Sequence, residues 1–354
     1  MDDLLKNKIL ELVSKKETPF YLFALPEIER KYSFIKKNLN QAKLFYALKA
    51  NSEIGVLKKL NDLNSNFEVA SKEEIQKLIN LQVEPAKIIF GNPVKKVEDI
   101  DYAYSHGIKY FVFDNLDELT KIKNVVKDPD LILRIFVSDL SENMGIDFGA
   151  TIQDVKFMTK KVKSLLQQIK GLTFYGDIRP AILRCLEIKN LFFPDLQLIN
   201  IGGGFQIQDK YNDYKYFKEI NEFMKKINQD TGIDFYVEPG FYIVNNSGYL
   251  ITKVLSSGYK NDKYYVYLDA GKPSGLIDED YEYEYLLLSG SKKRNKVKKI
   301  CFYGPTCDNT ELFTKENTDL PKLNDIICIK NVGAYSSCYA NNFHSFAKPK
   351  IFYI

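Results

Sequence analysis

The chain has 354 residues, 45% of them hydrophobic and 27% charged, values of an ordinary globular protein that exclude disordered, collagen-like and coiled-coil architectures. Fifty Lys and Arg against forty-six Asp and Glu leave a net charge of +4, dispersed along the sequence, so no nucleic-acid footprint follows. No apolar run approaches the roughly 18 residues of a membrane span. The start, MDDLLKNKILELVSKK, has neither the apolar core nor the cleavage site of a signal peptide, and the expectation is a cytoplasmic protein with no membrane partner.

Taken in chain order, short β-branched and aromatic runs alternate with helical segments, the pattern of βαβ units and a parallel sheet. The predicted strands are KLFYAL (43–48), NFEVA (66–70), KIIFG (87–91), KYFVFD (109–114), LILRIFV (131–137), GLTFYG (171–176), LQLINI (196–201) and DFYVE (234–238). Between them, EIGVLKKLNDL, KEEIQKLINLQ and DVKFMTKKVKSLLQQI place apolar residues at i, i+3, i+4 and i+7, as crossover helices do. Eight repeats predict an α/β fold with a closed (β/α)₈ TIM barrel over residues 25–240. Such a barrel takes about 250 residues, which leaves material for a smaller domain.

From about residue 241 the rhythm changes to strand-like runs joined by turns: YIVNNSGYLITKVL, KYYVYLDAG, VKKICFYG, DIICIKNVG and PKIFYI. These predict an all-β domain, sandwich- or barrel-like, made of 241–354 together with 1–24, since the segment TPFYLFA precedes the first barrel strand and reads as a strand itself. The five cysteines (Cys185, Cys301, Cys307, Cys328 and Cys338) are odd in number and show no CxxC spacing, which suits a reducing compartment. His106, between a helix and the strand it feeds, reads as structural. With His344 as the only other histidine, neither a multi-His metal centre nor a Ser-His-Asp triad is easily built. No metal is expected, and the hard chemistry falls to an organic cofactor.

Barrel enzymes work at the carboxyl ends of their strands. Strand one ends in YALKAN, where Lys49 reads either as a surface lysine or as an amine at the barrel mouth, among apolar walls that would lower its pKa. After strand seven, NIGGGF supplies Gly202, Gly203 and Gly204, either a tight turn or a cradle whose backbone N–H groups approach a phosphate. Strand eight ends in VEPG. Glu238 there is either an exposed acid before a proline or the carboxylate that keeps a pyridine nitrogen protonated. An amine that condenses with an aldehyde, a phosphate loop and a pyridinium partner together specify pyridoxal 5'-phosphate (PLP) better than any one of them alone.

These residues resemble the PLP-dependent fold-type III enzymes, the alanine racemase-like family, and within it the ornithine and diaminopimelate decarboxylase group. YALKAN (46–51) resembles the family's cofactor-lysine motif, FEVASKEEI (67–75) its second-strand motif, NIGGGF (200–205) its phosphate loop and EPG (238–240) its pyridinium motif. GPTCDNTE (304–311) and GAYSSCYANNFHSF (333–346) resemble two segments of its β domain. The resemblance implies a head-to-tail homodimer with shared active sites. Lys49 would bind the cofactor covalently, with Glu68 beside it. Arg134 would face the cofactor ring, Tyr175 stack on it and Tyr335 hold the phosphate. Cys307, presented by the partner subunit, would return a proton once carbon dioxide leaves, and Asp308 would face the substrate's distal group. The pair Cys307–Asp308 favours a decarboxylase over a racemase, and a complete β domain argues against a non-catalytic PLP-binding protein.

Three positions depart from the family pattern. EPGF stands where the family has EPGR, so Phe241 removes a guanidinium from the phosphate. FYGDIRPA carries Tyr175 in place of a histidine, and Arg179 in the same segment either replaces the lost guanidinium or binds an acidic group on the substrate. FHSF at 343–346 replaces FNGF. These departures point to a specialised relative acting on a small or conjugated amino acid, as in siderophore, antibiotic or modified-peptide biosynthesis. The acidic stretch Asp278, Glu279, Asp280 would suit a cationic substrate group.

Overall fold

A computed structural model describes residues 3–137, 148–162, 169–205, 207, 210–260, 263–277, 283–288, 296–307 and 311–354. The chain divides into two compact units, Glu29–Tyr242 and Met1–Ile28 with Ile243–Ile354.

After helix α1 (Asp3–Lys15), strand β1 (Phe20–Phe23) and helix α2 (Leu25–Asn38), the first unit is a closed barrel of parallel strands β2 (Ala42–Ala47), β3 (Asn66–Val69), β4 (Ile88–Phe90), β5 (Tyr110–Phe113), β6 (Asp130–Arg134), β7 (Ile169–Thr173), β8 (Leu198–Asn200) and β9 (Asp234–Val237). Each overlaps a predicted strand, with its start within two residues and its end within three. The crossover helices include α3 (Ile54–Asp62), α4 (Lys72–Asn80), α5 (Val97–Ser105), α6 (Leu116–Val125), α7 (Ile152–Lys161), α8 (Ile178–Phe192) and α9 (Lys210–Thr231). Their starts follow local chemistry. Ser71 caps α4 by accepting from the Glu74 N–H, while the Glu74 carboxylate accepts from the Ala70 N–H at 2.7 Å. Asn115 caps α6 in the same way.

The barrel is filled in layers. Phe45, Ile89, Val112, Ile132 and Leu198 form one apolar cluster, with Tyr110 and Tyr236 packed against it. Side chains two residues further along a strand point to the same side. By that step and by strand register, the inward positions directly above this apolar layer are Ala47, Glu68, Gly91, Asp114, Arg134, Thr173, Asn200 and Glu238. An apolar plug thus lies beneath a polar and charged ring at the mouth.

The second unit is a β domain whose strands, among the described residues, run in the order β12 (Glu284–Leu287), β15 (Ile326–Lys330), β10 (Gly248–Lys260), β11 (Lys263–Leu268), β13 (Lys296–Tyr303), β14 (Glu311–Asp319). Strand β1 pairs antiparallel with β10 and parallel with β16 (Lys350–Tyr353). Phe20, Leu22, Ile251, Ile326 and Cys328 pack with Ile9 of α1 into its core. Two details differ from expectation. Residues 242–247 are not strand: helix α10 (Gly240–Val244) and a 3₁₀ turn at Asn245–Ser247 precede β10. Strands β12 and β14 were not predicted; β14, ELFTKENTD, is mostly polar and is held by pairing with β13 and by the stacking of Phe313 on Phe302 at 4.4 Å.

Candidate active site

The ring above the apolar layer gathers Glu68, Arg134, Asn200 and Glu238 at the carboxyl end of the barrel, and the turn Leu48–Ala50 brings Lys49 to the same end. The environment of Lys49 is not the apolar wall expected: its side chain is exposed, and the nearby carboxyls of Glu68 and Glu74 both feel its charge. The capping geometry of α4 is what fixes Glu74 there.

Asn200 organises the far side of the ring. It is fully buried, donates through Nδ2 to Glu238 Oε1 at 2.7 Å and accepts the Gly202 N–H on Oδ1 at 3.0 Å. The Gly202 carbonyl in turn accepts the Glu238 N–H at 2.7 Å. One buried amide thus ties the glycine turn to the carboxylate of EPG. The turn needs its glycines: Gly202 sits at φ +65°, and a Cβ on Gly203 would lie 2.8 Å from the Glu238 carbonyl oxygen.

Glu68 is 4% exposed, and its Oε2 has no hydrogen-bond partner among the described residues. Burial foremost, then the charges of Glu238 and Glu74, push its carboxyl up to about 8, against the pull of Lys49 and Arg134. Arg134 is half-buried, its guanidinium 5.3 Å from the Phe148 ring centroid; burial lowers its pKa while Asp114, Glu238 and Glu68 support its charge. Asp114 is itself held by the Gly149 N–H at 3.0 Å.

Tyr175 is 57% exposed and stands beside the glycine turn, its Cε2 lying 3.7 Å from where a Cβ on Gly204 would be. Arg179 is in the first turn of α8 rather than in a loop. It faces α9, with Nη2 3.8 Å from Glu219 Oε2 and its guanidinium 5.5 Å from the Phe223 ring. Phe241 lies half-buried in α10.

In the β domain Cys307 is exposed and holds φ +59°, and Tyr335 holds φ +49°. A side chain in the left-handed region is uncommon, and both motif residues adopt it. Gly304 is pressed against Gly271, whose Cα a Cβ on Gly304 would approach to 2.8 Å, and a Cβ on Gly333 would run into the Val244 carbonyl. His344 stacks on Phe343 at 4.2 Å. Asp278, Glu279, Asp280 and Asp308 lie outside the described residues.

Sequence reasoning missed Asn200, Glu74 and Gly91. Asn200 was legible by parity, two residues beyond Leu198 as Glu238 is two beyond Tyr236. Glu74 was legible as the last residue of the capping pattern SKEE. The residues present fit PLP: an amine at the mouth, a carboxylate oriented by Asn200 for a ring nitrogen, a glycine turn that a Cβ would close, and a buried carboxyl oxygen lacking a partner.

Comparison with known proteins agrees with this geometry. Residues 25–245 match the family described as pyridoxal-dependent decarboxylase, pyridoxal binding domain. The chain is 28% identical to a probable ornithine decarboxylase of Dictyostelium discoideum, over 99% of this chain and 82% of that protein. It is also 28% identical to decarboxylase flvG of Aspergillus flavus, over 94% of this chain and 84% of that protein. The structure of a lysine/ornithine decarboxylase from Vibrio vulnificus, complexed with cadaverine, superposes with a TM-score of 0.86 at 26% identity, covering 99% of this chain and 97% of that one. With a matching family domain over most of its length and the barrel and β domain of those enzymes, the chain belongs to the fold-type III PLP-dependent amino-acid decarboxylases.

Proposed function

We propose that the protein removes the α-carboxylate of an amino acid whose distal end is cationic, a diamino acid or an amino acid conjugated to a larger group. The observation that carries the reading is the polar ring over the apolar barrel layer, with Glu238 and the glycine turn fixed to each other by Asn200. Bound PLP supplies an electron sink for the α-carbon. The protein's own residues would do the rest. Lys49 would anchor the cofactor and release it to the incoming amine. Glu238 would keep the ring nitrogen protonated, the backbone of Gly202, Gly203 and Gly204 would bind the phosphate, Arg134 would face the ring and Tyr175 would stack on it.

The remaining roles rest on the motifs. Tyr335 would add a hydroxyl to the phosphate. In a head-to-tail homodimer the GPTCD segment of a second copy would complete each site, Cys307 giving its proton to the α-carbon after carbon dioxide departs. Asp308 and Asp278 would receive a cationic distal group. Arg179, with Glu219 and Phe223 beside it, would either supply the guanidinium lost at Phe241 or bind an acidic group on the substrate. The names of the relatives support the cationic end, and the departures at Phe241 and Tyr175 support a specialised biosynthetic role.

The experiment is carbon dioxide release from ornithine, lysine, arginine and diaminopimelate, with chiral analysis of the recovered substrate. Release from a cationic substrate without racemization is the expected result. Racemization without release would establish the racemase alternative, and PLP uptake with neither would establish a binding protein without turnover.

A further inference from the structure

Two carboxyl groups share the barrel mouth, and the structure treats them differently. Glu238 is half-buried and already has a donor, the Asn200 amide at 2.7 Å. Glu68 is almost wholly buried, and its Oε2 has no donor among the described residues. An ionised carboxylate with a bare, dry oxygen is costly, whereas a neutral carboxylic acid carries a donor of its own.

The position of Glu68 is also enforced sterically. The space its carboxyl occupies is the space a side chain at position 91 would take: a Cβ on Gly91 would lie 2.1 Å from Glu68 Oε1 and 2.7 Å from its Cδ. Gly91 cannot retreat. Its N–H is bonded to the Val69 carbonyl at 2.8 Å, and Asn92 donates to the Ala70 carbonyl. Beyond it Lys95, fully buried, donates to the Asn92 and Val112 carbonyls and pairs with Glu118 at 2.9 Å. The loop after β4 is therefore a fixed wall with a gap cut for one carboxyl.

We propose that Glu68 is the proton-holding acid of this mouth, a neutral carboxyl whose Oε2–H is offered to an acceptor atom of bound PLP, with Gly91 as the residue that makes room for it. The inference rests on the PLP reading and goes beyond it, because it sets the protonation state of a second carboxyl and names the glycine that permits it. The charged groups acting on Glu68 come from every side: Lys49 after β2, Glu74 on α4, Arg134 on β6 and Glu238 after β9. Burial with the two glutamates outweighs the two cations, and the cations are themselves shared, Arg134 with Asp114 and Lys49 with Glu74. At neutral pH the proton stays on Glu68.

The test is infrared difference spectroscopy of the PLP-loaded protein on the acid and alkaline sides of the carboxyl's titration, for the unsubstituted protein, Glu68→Gln and Glu68→Asp. An un-ionised carboxyl C=O band, shifted in D₂O, is expected on the acid side of the unsubstituted protein, lost on the alkaline side and missing in Glu68→Gln. Gly91→Ala, whose Cβ would enter the space of the Glu68 carboxyl, should lose about tenfold or more in PLP affinity. Glu68→Asp, one methylene shorter, should restore affinity to Gly91→Ala when the two are combined. No such band, a band that persists in Glu68→Gln, or unaltered affinity in Gly91→Ala would overturn the inference. A protein that takes up no PLP would overturn the functional reading and this inference together; uptake without the band overturns the inference alone.

Discussion

Replacing Asn200 with Leu removes a side chain that bonds both the glycine turn and the EPG carboxylate while keeping the buried volume roughly filled. The Nδ2 bond to Glu238 is charge-assisted, a class worth about 1.5–3 kcal/mol, and the Gly202 N–H loses its acceptor inside a buried turn, which costs about 1–3 kcal/mol. The two losses share one residue and do not add in full, so a destabilisation of about 2–4 kcal/mol is expected in urea unfolding followed by circular dichroism. Freed of its donor, Glu238 also loses orientation. PLP affinity, measured by titrating dialysed protein, should fall about 10- to 100-fold, or about 1.4–2.8 kcal/mol. Asn200→Asp should be no better, since it keeps the acceptor for Gly202 but sets a carboxylate against Glu238. Stability within about 0.5 kcal/mol and affinity within about twofold for Asn200→Leu would refute the claim that this amide organises the site.

Gly203→Ala would place a methyl group 2.8 Å from the Glu238 carbonyl oxygen, so the turn must shift; an overpacking cost of about 1–3 kcal/mol and weaker PLP binding are expected, the latter read by equilibrium dialysis. Cys307→Ala should slow carbon dioxide release about tenfold or more while PLP affinity stays unchanged, a split that steady-state kinetics and cofactor titration separate. The cofactor-free protein should lose stability as pH rises from about 4.5 to about 8 through Glu68, because there the folded carboxyl still holds a proton that the unfolded one has released. The slope is at most about 1.4 kcal/mol per pH unit, and urea unfolding across that range should show it flattened in Glu68→Gln.

The barrel was legible because a parallel strand buried on both faces reads as a short, mostly apolar run, and eight such runs alternate with amphipathic helices. The β domain was less so. Its strand β14 carries Glu311, Lys315, Glu316 and Asp319, and only tertiary pairing with β13 holds it extended. The segment YIV at 242–244 is apolar enough for a strand, yet it forms a helical turn directly after Pro239 and Gly240. Within the site, residues whose chemistry is unusual for their position, such as Glu68 at a strand end and the triple glycine, stand out in the sequence. Asn200 does not, since the bond that gives it its role, to Glu238, exists only once β8 and β9 are adjacent. The surroundings of Lys49 were misread for a related reason: its carboxylate neighbours come from β3 and from the cap of α4, and neither is near in sequence.

Borohydride reduction of the PLP-loaded protein, followed by proteolysis and mass mapping of the phosphopyridoxyl group, tests the central claim most directly. The account predicts one modified residue, Lys49, with the label lost when Lys49 is replaced by Ala. A label on any other lysine, or an unlabelled protein after incubation with excess PLP, would contradict it.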